Sequence, residues 1–354
     1  MFSHEDMAEA WDAWHPTQRR RIVKSESASL GVVVSAGGRR SSGYSVAQTK
    51  AQLDRLTRRV PQVMVKVTKR KSGTSGVMSN FTYIGRHGKV DVETGDGEVI
   101  TKRRNLAELA EDWDSANGAR NTKRATSLGM ILSMPEGTDA QIVHDAARAW
   151  GRGQFEGKHD FVFALHTDTP RPHVHFAVRI EGYDRRRFNP GRAQLQTMRE
   201  AFAAELCARG VEADATPRLA RGVTIGNDRS NVYRARQLAV KQGEAYRRDI
   251  QPALEGWQLS KGLIALNPFE VKTRTRLRDL NGVYTRMATA LIGSPDANDV
   301  EIGRRLESYV MDIKRAPLSA RAAVAFEIDR TSRDLKPDAL KPEGLPPDPP
   351  KPKL

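Results

Sequence analysis

Between Leu165 and Ile180 the chain reads LHTDTPRPHVHFAVRI. Successive side chains of a β-strand point to opposite faces. From His173 onward the residues alternate to match. His173, His175, Ala177 and Arg179 fall on one face; Val174, Phe176, Val178 and Ile180 fall on the other. Such a run folds as a half-buried strand with its apolar side on a core and two imidazoles aimed outward together. A second apolar run, Phe161 to His166, precedes it and delivers a third imidazole at its end. Asp168 and Thr169-Pro170-Arg171 form the turn between the two, so the strands are hairpin neighbours. An isolated His-x-His pair in a strand is more often structural than a ligand. A third histidine and a carboxylate in the same hairpin reverse that preference. Three neutral imidazoles on one point can hold a divalent metal, and a nearby carboxylate commonly orients a ligating histidine.

The surrounding segments frame this hairpin. Gln62 to Arg70 alternates apolar and polar residues and predicts a strand. Ser75 to His87 predicts a helix stopped by Gly88, with Val77, Phe81 and Ile84 on one side. Lys89 to Ile100 predicts a small hairpin, and Asn105 to Asn117 a second helix. Ala125 to Met134 predicts a buried strand. Pro135-Glu136-Gly137 then turns the chain into a helix capped by Thr138 or Asp139 and running to about Trp150. After the histidine strands, a helix from Asn189-Pro190 to just before Gly210 carries Leu195, Met198, Phe202 and Leu206 as its buried stripe. Helices between strands that otherwise pair as hairpins predict an α+β fold with a mainly antiparallel sheet.

The flanks differ in composition. Residues 1–58 form an N-terminal extension, flexible in part, with a Gly/Ser-rich basic linker at 35–45 and a short helix from Ser45 to Arg59. Residues 59–225 form the domain that carries the motifs. Residues 226–335 show helical spacing throughout: Asn227 to Leu254, Glu270 to Ile292, Asn298 to Lys314 and Leu318 to Asp334. Residues 336–354 are a proline-rich tail.

Charge narrows the partners. The 354 residues carry a formal net charge of +15, with a pI near 10.0, which favours a polyanion such as nucleic acid. No apolar run is long enough to span a membrane. The acidic N-terminus is unlike a signal peptide, so a cytoplasmic setting is expected. The single cysteine, Cys207, excludes an internal disulfide and a cysteine zinc cluster.

A metal beside a basic surface suggests phosphodiester chemistry, with water or a side chain as nucleophile. Tyr83 is the side-chain candidate. It lies off the Val77/Phe81/Ile84 stripe and shares a helical face with Ser79 and His87. A phenol ionises near pH 10 and needs a neighbouring base or cation to attack at neutral pH. Spacing alone favours an ordinary surface tyrosine over a nucleophile.

The run His166-TDTPRPHVH-His175 resembles the third motif, HxDxxxxHxH, of conjugative relaxases of the MOB-P class, the mobilisation nucleases of the HUH endonuclease superfamily. Phe81-TYIGRHG-Gly88 is similar to their first motif, and Ile131-LSMPEG-Gly137 to their second. The resemblance covers roughly residues 60–225. It implies nicking and rejoining of one DNA strand at an origin of transfer, through a 5′-phosphotyrosine on Tyr83. It implies a metal, Mg²⁺ or Mn²⁺, on His166, His173 and His175; imidazoles alone would equally suit Zn²⁺. His166 is either a ligand or the base that activates the tyrosine. Asp168 would orient a histidine or assist proton transfer, and Ser133 would contact DNA near the scissile bond. The implied partners are single-stranded origin DNA, relaxosome accessory proteins and a type IV secretion coupling protein. Arg103, Arg104, Arg186 and Arg221, from basic runs, are candidate phosphate contacts, as is Arg179 on the histidine face. Alternatives are another HUH nuclease (a replication initiator or transposase), a metal-dependent hydrolase using water, and a non-catalytic DNA-binding accessory protein.

Overall fold

The computed structural model describes residues 46–116, 124–226 and 230–334. The linker expected at 35–45 and the proline-rich tail lie outside them. The chain divides into two compact units. Among the described residues the first comprises 46–116, 124–217 and 290–305, and the second 218–226, 230–289 and 306–334.

The first unit is built on a six-stranded sheet. Its strands are β1 (Met64–Lys71), β2 (Val92–Thr94), β3 (Val99–Ile100), β4 (Ser127–Ser133), β5 (Phe161–His166) and β6 (His173–Arg179). Their order across the sheet is β1-β4-β6-β5-β2-β3, and every pairing between them is antiparallel. The two histidine strands are hairpin neighbours at the centre, in a register that opposes His166 to His173. The fold is therefore α+β, as the strand and helix patterns predict.

Helices sort onto the two faces by their apolar stripes. Helices α1 (Val46–Thr57), α2 (Gly73–Ile84), α3 (Arg103–Ser115), α4 (Ala140–Phe155) and α5 (Arg192–Cys207) belong to this unit. Helix α4 is capped by Asp139, whose carboxylate accepts the Ile142 N–H at 2.9 Å. Its Val143, Ala146 and Trp150 join Met198, Phe202 and Leu206 of α5 on the face lined by Val65, Met130, Phe163 and Phe176. The Trp150 indole N–H donates to the Met198 carbonyl at 2.9 Å, so this buried donor is satisfied. On the opposite face, Val77, Phe81 and Ile84 of α2 pack with Leu106, Ala110 and Trp113 of α3 over Val162, Ala164 and Ala177.

Helix α2 ends earlier than its spacing predicts. It closes at Gly85, and Arg86 and His87 take left-handed backbone angles, with φ of 50° and 57°. The reason is packing. A side chain at Gly85 would meet Val92 Cγ2 at 3.1 Å, so the backbone passes close to β2 and turns there. His87 consequently leaves the face it was expected to share with Ser79 and Tyr83.

The second unit is helical: α6 (Ser230–Lys241), α7 (Arg247–Ser260), most of α8 (Pro268–Ile292), the end of α9 (Ala297–Lys314) and α10 (Ala320–Asp334). The single helix expected from Asn227 to Leu254 is two, because the chain turns at Gly243, where φ is +72°. Helices α7 and α10 touch closely. A side chain at Gly256 would lie 2.6 Å from Val324 Cβ. The fully buried Glu270 carboxylate accepts from Arg321, which holds its carboxyl down to about 2.

Candidate active site

The site sits on the α2/α3 side of the sheet, where α2 ends and the β5–β6 hairpin opens. His166 closes β5 and His173 opens β6, so strand pairing alone sets their rings side by side. His175 follows two residues on and returns to the same face. Ring centroids lie 5.3 Å apart for His166–His173, 4.4 Å for His166–His175 and 5.1 Å for His173–His175. Each ring offers a nitrogen such that all three lie within 4.8 Å of one another.

Hydrogen bonds decide which nitrogens are free. His173 Nδ1 faces the Arg171 carbonyl at 3.0 Å, so it donates there and leaves Nε2 with its lone pair. His166 Nε2 lies 2.6 Å from the Ile84 carbonyl, which can only accept, so Nε2 carries the proton. The His166 lone pair is then on Nδ1, where Arg86 Nε donates to it at 3.3 Å. His175 is 5% exposed. Burial, then the neighbouring His166, His173 and Arg86, hold its imidazolium form down to about 3. Burial likewise lowers His166, against the bond to Ile84. Both buried rings are thus neutral at ordinary pH, the form that binds a metal. The donor set fits a divalent ion.

Tyr83 stands at the end of α2, 60% exposed, with its ring edge-on to His175 and centroids 5.2 Å apart. It is a large aromatic left in solvent beside three imidazoles, and the core makes no use of it. Ser133 ends β4 opposite His173 in register, and its hydroxyl donates to the Met134 carbonyl at 3.2 Å. Asp168 pairs with the Arg86 guanidinium. Desolvation works against its charge, but Arg86 outweighs this and holds the carboxyl below the usual carboxylate range.

Arg86 is the site residue that sequence reading overlooked. It occurs in the Gly-containing turn of the first motif, but nothing in spacing says that a left-handed residue there aims its guanidinium at both His166 and Asp168. The other basic candidates each have a setting of their own. Arg179 is on the histidine face but six residues from His173, roughly 20 Å along the strand. Its guanidinium meets Asp160 at 2.8 Å and stacks over Tyr183. Arg104 pairs with Glu108 within α3, and Arg186 lies 3.7 Å from Asp184. Arg103 is exposed at the start of α3, and Arg221 belongs to the second unit. Tyr183, the other nearby phenol, bonds Asp160; desolvation and that bond push it up to about 12.

Imidazoles clustered on adjacent antiparallel strands, with a solvent-exposed tyrosine at a helix end beside them, form a candidate nuclease site. Residues 83–209 match the family described as relaxase, MobA/VirD2-like, nuclease domain. This segment is thus similar to a relaxase, or mobilisation-nuclease, domain. The T-DNA border endonuclease VirD2 of Rhizobium radiobacter is 24% identical over 166 residues, covering 42% of this chain and 39% of that protein. VirD2 of Agrobacterium fabrum strain C58 is 23% identical over 167 residues, covering 42% of this chain and 37% of that protein. The chain thus matches under two-fifths of the length of these relatives. The matched segment begins at Tyr83 and takes in Ser133 and all three histidines; Arg221 lies beyond it.

Proposed function

We propose that the chain nicks and rejoins one strand of DNA at an origin of transfer by tyrosine transesterification. The observation that carries this is the meeting of Tyr83 with the His166/His173/His175 cluster. His173 and His175 would hold the metal through their free nitrogens, and His166 would offer Nδ1, the atom that Arg86 now faces. A divalent ion bound there neutralises charge on the scissile phosphate and polarises its P–O bonds. Tyr83 Oη attacks phosphorus, and the bond to the 3′ oxygen breaks. The phenol loses its proton and the departing 3′ oxygen gains one. A 5′-phosphotyrosine and a 3′-hydroxyl result. Because the ester keeps the bond energy of the phosphodiester, the 3′-hydroxyl can reverse the step without ATP. Arg86, held by Asp168, would leave Nδ1 when the metal binds, while the Nε2–H bond to the Ile84 carbonyl keeps the His166 ring from turning away. Mg²⁺ or Mn²⁺ is the expected ion, and single-stranded origin DNA the substrate.

The domain of residues 59–225 is read as the nuclease, and the helical region as the part that meets accessory proteins and a secretion coupling protein. Among the described residues no helix is long and apolar enough to cross a membrane. Action in the cytoplasm, where the element's DNA is, follows from this reading.

The test is incubation with single-stranded origin DNA and Mn²⁺, then a denaturing gel. A protein–DNA adduct is expected for the wild type and none for Tyr83→Phe, which keeps its fold and its DNA binding. Mapping of the adduct to Tyr183 or Tyr44 sinks the assignment of the nucleophile. Cleavage that leaves no adduct points to a metal-activated water instead.

A further inference from the structure

Four strands cross the histidine face at the level of the site, and their register fixes which residues are neighbours. Met64 of β1 pairs with Ser133, Ser133 with His173, and His173 with His166. One step along, Lys66 pairs with Ile131, Ile131 with His175, and His175 with Ala164. Residues opposed across an antiparallel ladder point to the same side. Met64 and Lys66 therefore stand on the histidine face, two strands from the imidazoles. Helix α2 covers the far part of this face, where its Asn80 lies over Gly129 of β4 beside Thr68 of β1. The half towards β1 is open: Met64 is 43% exposed, Lys66 is exposed and Ile131 is half-buried.

Lys66 differs from four of the arginines near or proposed for the site. Arg86, Arg104, Arg179 and Arg186 each face a carboxylate. Lys66 makes no ion pair or hydrogen bond among the described residues. Its Cα lies two strand spacings, about 10 Å, from that of His175. Its flexible four-carbon stem can carry the ammonium across Ile131 towards the site. A single DNA strand needs a cation for its phosphates and an apolar surface for its bases. β1 supplies both, at alternate positions of one strand.

We propose that β1 forms the bank of the DNA-binding groove opposite Tyr83. Lys66 binds a backbone phosphate flanking the scissile one, and Met64 supports the adjoining base through its polarisable thioether. Lys66 positions the strand and does not touch the reacting phosphorus. The inference rests on the reading of the site as a relaxase centre.

The test uses the full chain and a fluorescent oligothymidine in chelator, with binding followed by anisotropy over a salt series. Loss of one phosphate contact lowers the log–log salt slope by about 0.7 for single strands. Lys66→Gln should bind several-fold more weakly with that smaller slope, and Lys66→Arg should restore both. Lys66→Gln with the wild-type slope, whether or not its affinity falls, overturns the proposal. The adduct assay separates this from the parent reading. A wild type that binds oligothymidine but forms no adduct on origin DNA with Mn²⁺ overturns transesterification and leaves the slope test standing. A wild type that binds no single strand overturns both.

Discussion

His175 concentrates the conflict at this site. It is a titratable ring kept neutral by burial and by two like neighbours. In the unfolded chain an imidazole protonates near pH 6.5, whereas here it does so near 3. A depressed folded value means that stability is complete above the unfolded pKa and is lost as pH falls from 6.5 towards 3. The metal-free protein should lose about 2 kcal/mol by pH 5 from this group alone. His175→Asn should flatten that part of the stability curve, measured by denaturant melts across pH; a mutant curve parallel to the wild type contradicts it. Mn²⁺ calorimetry addresses the ligands. His173→Ala or His175→Ala should abolish measurable binding, while Asp168→Ala, which removes only an orienting partner, should weaken it about 10- to 100-fold. Equal losses for all three would make Asp168 a ligand. The imidazole cluster was legible in the sequence because a strand repeats every two residues, so His173 and His175 had to agree. Arg86 was not legible, because its role depends on a left-handed turn that spacing does not encode.

At the scale of elements, the site depends on how closely α2 lies on the sheet. Gly129 of β4 lies beneath α2 and against Thr68 of β1, so a branched side chain there would crowd both. A Cβ there would stand 2.6 Å from Thr68 Oγ1 and 3.6 Å from Asn80 Oδ1. Gly129→Val should destabilise the first unit by about 1–3 kcal/mol. It should also weaken Mn²⁺ binding, because Ile84 at the end of α2 anchors His166. Thermal melts and calorimetry measure the two effects, and a stability loss with unchanged metal affinity would uncouple α2 from the site. The strands and the stripes of α2, α4 and α5 could be read from periodicity. Helix ends could not, since Gly85 ends α2 through contact with Val92, a residue of another element. The break at Gly243 was likewise hidden in a polar stretch with continuous helical spacing.

For the whole molecule, the first unit reaches beyond the segment that carries the motifs. Leu53 and Leu56 of α1 are buried, Gln52 donates to Thr216 at 3.2 Å, and Lys50 pairs with Asp299. A fragment of residues 59–225 lacks these contacts. Burial of two leucines contributes about 3–6 kcal/mol, so a 46–225 fragment should melt well above one starting at 59, by circular dichroism. Equal melting temperatures would make α1 dispensable. Position 58 marked a boundary in the sequence because the composition changes nearby. Contacts from α1 to residues 216 and 299 were invisible there, being long-range. One more property follows from the sheet order. β1 is one of the two edge strands, and an unpaired strand border invites another copy of the chain to zip onto it and aggregate. Lys66, Lys69, Arg70 and Lys71 stud that border. Two such borders brought together would press cation against cation. A strand this basic is guarded against self-recognition, and it admits a polyanion on the terms that exclude its own kind.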